Sequence, residues 1–263
     1  MNNNVKEIKE QLVGVSRDTF EENAQELITY ISDDVKAVQS FMLHEALSFP
    51  FDDCKNSSIA IVGNSPIILN NEYGEFIDSH DYVFRFNDSK TEGFEKHTGK
   101  RCNFRMVNGH HVNMLEDEEY YKEHLEAFPE ASQRFLDTLE NCNLFLKTDA
   151  SFKLKTDLPE WYEKITSKNS LFTFTKYFEQ FLHDRLGQYG ACGMYSVMFA
   201  SWAFKEVNCF GFNIYKEDET SPDNVHYYEK SVRDEGRIGT HQFDNEEIFF
   251  NLLEKNNLIK VYR

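Results

Sequence analysis

Short apolar runs that end in small polar residues recur along the chain and predict buried strands. The first is 59–62, which continues directly into Gly63, Asn64 and Ser65. A run of this length bounded by turn residues is typical of a strand covered on both faces, as in a parallel sheet. Another such run ends at Asn87. The pattern predicts strands at 58–64, 82–87, 101–107, 144–146, 207–212 and 259–262.

Between these runs, apolar residues recur at helical spacing. This periodicity predicts helices within 5–48, around 71–77, within 110–140, at 194–204 and from His241 onward. Strands that alternate with helices indicate an α/β fold, and the sequence predicts one Rossmann-type α/β/α domain with a mostly parallel central sheet. We expect residues 1–50 to form an N-terminal helical segment and 51–263 the single domain, with an insertion at about 110–185.

The stretch 150–187 is predicted to mix a loop with a helix. This middle section is where we place the insertion or a lid. Its aromatic residues are expected to supply an aromatic surface, and they are Phe172, Phe174, Tyr177, Phe178 and Phe181.

Charge and composition argue against several classes of partner. The chain has 263 residues and a formal net charge of -17, which argues against nucleic acid and against anionic membranes. No apolar run reaches the ~18–20 residues that span a bilayer, and the first residues lack a signal layout. We therefore expect a cytoplasmic protein with no transmembrane segment. The five cysteines form no CxxC pair, which favours free thiols over a disulfide framework or a zinc site.

Small polar residues at predicted strand and helix ends are candidates for binding a ligand. Asn64 and Asn87 end two predicted strands, and their amides could hold a phosphate, a ribose hydroxyl or a base edge. Either alone is more often a turn former. Residues 190–193 form a glycine loop before an apolar helix, a position that binds anions or simply permits a tight turn. His226 and His241 are candidate acid/base groups because histidine titrates near neutrality.

No Asp-x-Asp pair stands at a predicted strand end, where it could hold Mg²⁺ beside a nucleotide diphosphate. Asp52 and Asp53 precede the first strand, and Asp117 lies in an acidic helix. We therefore expect a site without a metal ion.

Four stretches together resemble the animal-type sialyltransferases, glycosyltransferase family 29. Residues 59–108 are similar to the large sialyl motif of that family, and residues 190–212 to its small motif. The stretch 226–229 is similar to the third motif, and His241 with Glu246 to the very short motif. Their order and spacing agree with the family over most of the chain. The large-motif match rests on 61–65, 73–74, 77–81, 85–87 and 93–94.

The resemblance implies a GT-A-like fold and an inverting, metal-independent transfer of sialic acid from CMP-sialic acid to a hydroxyl of an acceptor glycan. It implies that His241 is the general base, that His226 bonds the leaving phosphate, and that Glu246 is structural. The insertion at 110–185 would set the acceptor. The resemblance implies no separate cofactor, and it places the CMP-sugar donor against Asn64, Ser65, Asn87, Tyr189, Cys192, Gly193 and Gly211.

The chain departs from the family at two places. The disulfide that usually joins the large and small motifs would lie near Ile59 and Phe204, which cannot form one. The hydroxyl residues usual in the small motif are replaced by Ala191 and Cys192, so a related donor such as CMP-Kdo stays open. A CMP-sugar or glycan-binding protein without catalysis is a further alternative, although a binder has no need of a general base.

Overall fold

Among the residues that the structure describes, the centre of the fold is a seven-stranded sheet in which every pairing is parallel. The computed structural model describes residues 49–139, 142–147, 170–174, 178–180, 182–183, 190–212, 226–229 and 243–263. The strands are β1 Ser58–Val62, β2 Tyr82–Phe86, β3 Phe104–Val107, β4 Asn143–Leu146, β5 Leu171–Thr173, β6 Glu206–Phe210 and β7 Lys260–Tyr262. Their order across the sheet is β5-β4-β3-β2-β1-β6-β7. The parallel sheet confirms the predicted Rossmann-type α/β class.

The strand order reverses at β1. From β1 the chain moves outward through β2, β3, β4 and β5, and it then returns to the other side of β1 for β6 and β7. β1 therefore pairs with β2 on one side and with β6 on the other. In open parallel sheets, ligands bind in the crevice outside the carboxyl ends of the strands at such a reversal. The expected ligand position lies at the ends of β1 and β6.

Helices cover both faces of the sheet. They are α1 Phe51–Cys54, α2 Gly74–Asp78, α3 Glu95–Thr98, α4 Gly109–Glu116, α5 Glu118–Ala127, α6 Pro129–Thr138, α7 Cys192–Ala203 and α8 Phe243–Lys255, with a 3-10 helix Pro66–Asn70 after β1. Most side chains of α7 are buried, which explains why its sequence is apolar on every side. From α8, Phe249 and Leu253 enter the same core cluster as α7.

Alternation along the strands divides the core between the two faces of the sheet. In β1, Ile59 and Ile61 belong to the large cluster that contains α7 and α8, whereas Ala60 and Val62 belong to a cluster on the other face. Successive side chains of a strand point to opposite faces, so β1 is covered on both sides. This burial explains why its sequence is a continuous apolar run instead of an alternating one.

The stretch 170–174 differs from its sequence-based prediction. It contains β5, the strand at one edge of the sheet, where a loop and a helix were expected. The prediction of an aromatic surface was wrong for the three of those residues that the structure describes, Phe172, Phe174 and Phe178, since all three are buried. The other two lie outside the described residues. A three-residue strand carries too short a pattern to recognise, and packing holds it: the rings of Phe172 and Phe49 lie 5.1 Å apart.

The predicted segment boundaries are only partly covered by the described residues. Residues 1–48 lie outside them, so the N-terminal helical segment stays a prediction. The range 110–185 contains β4 and β5 of the sheet besides α5 and α6, and its role towards an acceptor stays a prediction. Within the described ranges, no helix is long and apolar enough to cross a membrane.

Candidate active site

The loops that follow β1 and β6 meet where the strand order reverses, and two glycines make this contact. The N–H of Gly63 donates to the carbonyl oxygen of Phe210 (2.7 Å), and the N–H of Ser65 donates to that of Gly211 (3.1 Å). A Cβ on Gly63 would lie 2.5 Å from the carbonyl oxygen of Gly211. Gly211 itself has φ +67°, which glycine adopts readily and other residues rarely. Close backbone contact therefore requires both glycines; contact of Gly211 with a nucleotide stays a prediction.

Asn64 and Ser65 stand just beyond β1 with their side chains in different environments. The Nδ2 of Asn64 donates to the hydroxyl of Tyr228 (3.3 Å). The main-chain carbonyl oxygen of Asn64 accepts from the N–H of Tyr227 (2.9 Å). The Oδ1 of Asn64 is buried and has no hydrogen-bond partner among the described residues. Ser65 caps the 3-10 helix by accepting from the N–H of Ile67 (3.4 Å). Because an unpaired buried carbonyl is costly, Oδ1 is the atom here best suited to a donor group of a ligand.

Asn87 joins the ends of β2 and β3. Its φ of +47° lies in the left-handed region, which asparagine tolerates better than most residues. Its Oδ1 accepts from the N–H of Asn108 (3.0 Å), and its own N–H donates to the carbonyl oxygen of Met106 (2.8 Å). The side-chain oxygen of Asn87 thus joins the loops that follow β2 and β3. Its Nδ2 amide is the group that could donate a hydrogen bond to a ligand.

The N-terminus of α7 is held by a carboxylate from α8. The Oε1 of Glu246 accepts from the N–H of Ala191 (2.7 Å), and the Nζ of Lys147 donates to the carbonyl oxygen of Gly190 (2.6 Å). Burial raises the pKa of Glu246 to about 7, although the Ala191 N–H and the charge of Lys147 act in the opposite direction. These contacts agree with the structural role expected of Glu246.

Cys192 and Gly193 begin α7. Burial raises the pKa of the Cys192 thiol, so the thiol is neutral near pH 7. A Cβ on Gly193 would lie 2.7 Å from Cε1 of Phe212, which means that the glycine lets this ring pack against the start of the helix. Tyr189, which the sequence analysis also assigned to the donor, lies outside the described residues.

The turn 226–229 is attached to the loop after β1. The main-chain bond from Tyr227 to Asn64 fixes its position, and the Tyr227 hydroxyl also donates to the carbonyl oxygen of Lys90. The Nδ1 of His226 lies 2.8 Å from Oε1 of Glu229, and its ring stacks on that of Tyr228 with centroids 5.2 Å apart. A carboxylate only accepts hydrogen bonds, so Nδ1 carries a proton and Nε2 is the nitrogen left for other chemistry.

Two charged residues that the sequence analysis did not single out, Asp88 and Arg134, extend the site. Arg134, on α6, donates from Nε and Nη2 to Oδ2 of Asp88 (2.8 and 2.5 Å) and from Nη2 to Oε2 of Glu229 (2.7 Å). The Tyr228 hydroxyl donates to Oδ1 of Asp88 (3.0 Å). Asp88 could have been suspected because it directly follows Asn87. No spacing or motif marks Arg134.

The structure brings together part of the predicted set of site residues. Asn64 and the His226 turn are joined by direct hydrogen bonds, and Gly211 lies against the Asn64 loop. Gly193 lies under Phe212, one residue beyond Gly211. His241, the expected general base, lies outside the described residues. In the part of the chain that the structure describes, no three or more His, Cys, Asp or Glu side chains are arranged to hold a metal ion.

Comparison with known proteins identifies the family. The sequence model for glycosyltransferase family 29 (sialyltransferase) matches residues 2–258. The mouse CMP-N-acetylneuraminate-beta-galactosamide-alpha-2,3-sialyltransferase 2 is 29% identical over 214 residues, which cover 78% of this chain and 56% of the mouse protein. A beta-1,6-galactosyltransferase of Arabidopsis thaliana is 49% identical over 51 residues, or 19% of this chain and 13% of that protein.

Solved structures agree with this assignment. The crystal structure of a mammalian sialyltransferase superposes with a TM-score of 0.54 and 25% sequence identity, covering 79% of this chain and 69% of that one. The chain spans about half the length of the curated sialyltransferases that it matches. Since the family model covers nearly all of the sequence, the chain is a member of glycosyltransferase family 29.

Proposed function

We propose that the chain transfers sialic acid from CMP-sialic acid to a hydroxyl of an acceptor glycan, with inversion and without a metal ion. The observation that carries this proposal is the buried, unpaired Oδ1 of Asn64 at the reversal of strand order. It stands where parallel sheets bind nucleotides, and the turn that holds His226 is attached directly beside it. The sialyltransferase named among the relatives supports the choice of donor.

In this proposal, the chemistry of the leaving group removes the need for a metal ion. CMP leaves with a single phosphate, so less negative charge develops than on a nucleotide diphosphate. Fixed dipoles and hydrogen-bond donors can stabilise that charge when they are already oriented. The backbone at the start of α7 supplies dipoles of this kind. His226, whose Nδ1 is bound by Glu229, would present Nε2 to a phosphate oxygen.

In this proposal, His241 takes the proton of the acceptor hydroxyl while the acceptor oxygen attacks the anomeric carbon. The bond from that carbon to the phosphate oxygen breaks at the same time, so CMP leaves on the opposite face and the configuration inverts. A histidine serves as such a base when its ring is neutral near the working pH. The family resemblance supports the choice of His241.

The proposal is tested by incubating the protein with CMP-sialic acid and a panel of acceptor glycans. We expect CMP release together with a sialylated product, detected by mass spectrometry. His241→Ala should abolish transfer and leave CMP binding, measured by calorimetry, largely intact. Near-normal turnover by that variant would refute the assignment of the base. CMP binding with neither release nor transfer on the whole panel would favour a binding protein instead.

A second candidate is a transferase that uses another CMP-activated acidic sugar. The sequence at the start of α7 supports this second candidate, because Ala191 and Cys192 stand where the family has hydroxyl residues. Parallel reactions with CMP-sialic acid and CMP-Kdo separate the two donors by the rate of CMP release. A UDP-galactose reaction is a useful third arm, since one relative is named as a galactosyltransferase. Faster release from CMP-Kdo would replace the first candidate with the second.

A further inference from the structure

The carboxylate of Glu229 has a different partner on each oxygen. Oε1 accepts from Nδ1 of His226, and Oε2 accepts from Nη2 of Arg134. Two contacts on opposite sides hold the carboxylate in one orientation, and the imidazole of His226 is held with it. Arg134 is fixed in turn by its two bonds to Asp88. A continuous series of charged hydrogen bonds therefore runs from Asp88, at the end of β2, to the ring of His226.

One guanidinium serves both carboxylates in this series. Burial acts to raise the pKa of Asp88, but the nearby His111, Arg134 and the Tyr228 hydroxyl together hold it below its ordinary value. The pKa of Glu229 is also lowered, mainly by the hydrogen bond from His226. Both groups are thus ionised at neutral pH. Without Arg134, two negative charges would share a partly buried space, and Oε2 of Glu229 would lose the donor described above.

The side chain of Arg134 is largely enclosed by its surroundings. Only 18% of it is exposed, and its guanidinium lies 5.1 Å from the centroid of the Tyr228 ring. Asp88 is 9% exposed. Charge-assisted bonds shielded in this way are stronger than ion pairs at the surface. The guanidinium is also suited to bridge two carboxylates, because its donors are planar and fixed, which a lysine ammonium cannot reproduce.

We propose that Arg134 is a positioning residue of the transfer reaction, which fixes Glu229 and through it aims Nε2 of His226 at the leaving phosphate. The proposal rests on the proposed function and adds a residue that lies outside the four motifs. Arg134 belongs to α6, within the helical stretch that is expected to face the acceptor. It thereby connects that stretch to the turn that serves the donor.

Two variants at Arg134 and two control variants test this proposal. Arg134→Ala removes the bridge, and Arg134→Lys keeps the charge without the paired donors. Lys96→Ala is the matched control for loss of a positive charge, since Lys96 pairs with Glu72 at the surface (2.7 Å) and more than half of each side chain is exposed. Phe135→Leu controls for stability, because Phe135 is the buried neighbour of Arg134 on α6.

The first readout is the imidazole ¹⁵N NMR spectrum of His226, assigned with His226→Gln. In the unaltered protein, the bond to Glu229 should hold one tautomer, with the proton on Nδ1 when the ring is neutral. Arg134→Ala should yield a mixture of tautomers, Arg134→Lys an intermediate spectrum, and both controls an unchanged one. This measurement needs no substrate, so it is independent of the proposed activity.

The second readout is steady-state transfer with CMP-sialic acid. Arg134→Ala should lower kcat by about 10- to 100-fold, by analogy with the loss that follows removal of a group that orients a metal-bound histidine. The KM for the acceptor should change little, and Arg134→Lys should recover part of the loss. Phe135→Leu should not reproduce this loss when the two variants are compared at equal folded fraction.

The outcomes separate the positioning role from the proposed function. An unchanged His226 tautomer in Arg134→Ala, beside normal transfer by the unaltered protein, would overturn the positioning role alone. An equal loss of kcat in Phe135→Leu would do the same, because it would trace the effect to stability. Failure of the unaltered protein to transfer any sugar would overturn the proposed function and the positioning role with it.

Discussion

The carboxyl group of Glu246 should make the stability of the protein depend on pH, and Glu246→Gln should remove this dependence. Only 4% of Glu246 is exposed, and its Oε1 accepts from the N–H of Ala191 at the start of α7. A glutamine side chain has nearly the same shape and offers a carbonyl oxygen to the same N–H. The substitution therefore keeps the hydrogen bond and removes the buried charge.

The magnitude follows from the raised pKa. Glu246 has an ordinary pKa of 4.5 and one of about 7 in the folded protein. Between these values the folded chain holds a proton that the unfolded chain has lost, so the free energy of unfolding falls as pH rises. At about 1.4 kcal/mol per pKa unit, the loss is about 3 kcal/mol and is complete above pH 7. Glu246→Gln should match the unaltered protein near pH 4, below the ordinary pKa of 4.5, and be more stable by up to about 3 kcal/mol near pH 8.

Urea unfolding measured by tryptophan fluorescence can test this, because Trp202 lies on α7 and is partly buried against the core. The matched control is Glu247→Gln, which makes the same charge change at the next position of α8, where the side chain is only half-buried. The control should follow the pH dependence of the unaltered protein. If Glu246→Gln shifts stability equally near pH 4 and near pH 8, burial does not perturb this carboxyl group and the reasoning fails.

Three further substitutions or treatments test the site. Gly211→Ala should lower the unfolding free energy by about 1–3 kcal/mol, and by more than Gly93→Ala. Both glycines have a positive φ, so both variants strain the backbone. Only at Gly211 would the new Cβ also meet backbone, 2.8 Å from the carbonyl oxygen of Gly63. If both variants lose the same unfolding free energy, the contact with Gly63 contributes nothing and the steric argument is refuted. Asn64→Ala should weaken CMP binding several-fold in calorimetry, as expected for loss of one hydrogen bond from a neutral hydroxyl or amino group of the ligand, about 0.5–1.5 kcal/mol, whereas the exposed Asn56→Ala should not. EDTA should leave transfer unchanged, and a strong loss restored by Mg²⁺ or Mn²⁺ would contradict the metal-free proposal.

Most of the sheet could be predicted because buried parallel strands leave a strong local signal. β1 is covered on both faces and reads as an uninterrupted apolar run that ends at Gly63. β5 left no such signal, since three residues at a sheet edge cannot establish a period. What holds β5 is contact with distant aromatic residues, such as the ring of Phe145, 5.1 Å from that of Phe172. Those contacts join parts of the chain that a single sequence does not show to be close.

The candidate site was predictable to the extent that it is made of strand ends. Asn64 and Asn87 follow adjacent strands, and parallel strands place their carboxyl ends at one edge of the sheet. The pairing of Arg134 with Asp88 could not be read in the same way. A charged residue within an acidic helical stretch is normally solvated, and its burial follows from how α6 packs. The site therefore combines a locally encoded part with a part that tertiary packing alone creates.

Ile59 and Phe204 show how the two stretches that resemble the large and small motifs are held together without a covalent bond. Ile59 and Phe204 stand where the family resemblance implies the bridge, and both are buried in the same core cluster, 0% and 6% exposed. Burying two such side chains contributes about 1.5–3 kcal/mol each, comparable with the 2–4 kcal/mol typical of a disulfide. The ladder between β1 and β6 continues beyond both strands through the Gly63 and Ser65 amides. None of these contacts is a disulfide, so the packing and backbone bonds that hold the loop of Asn64 against β6 do not themselves depend on oxidation.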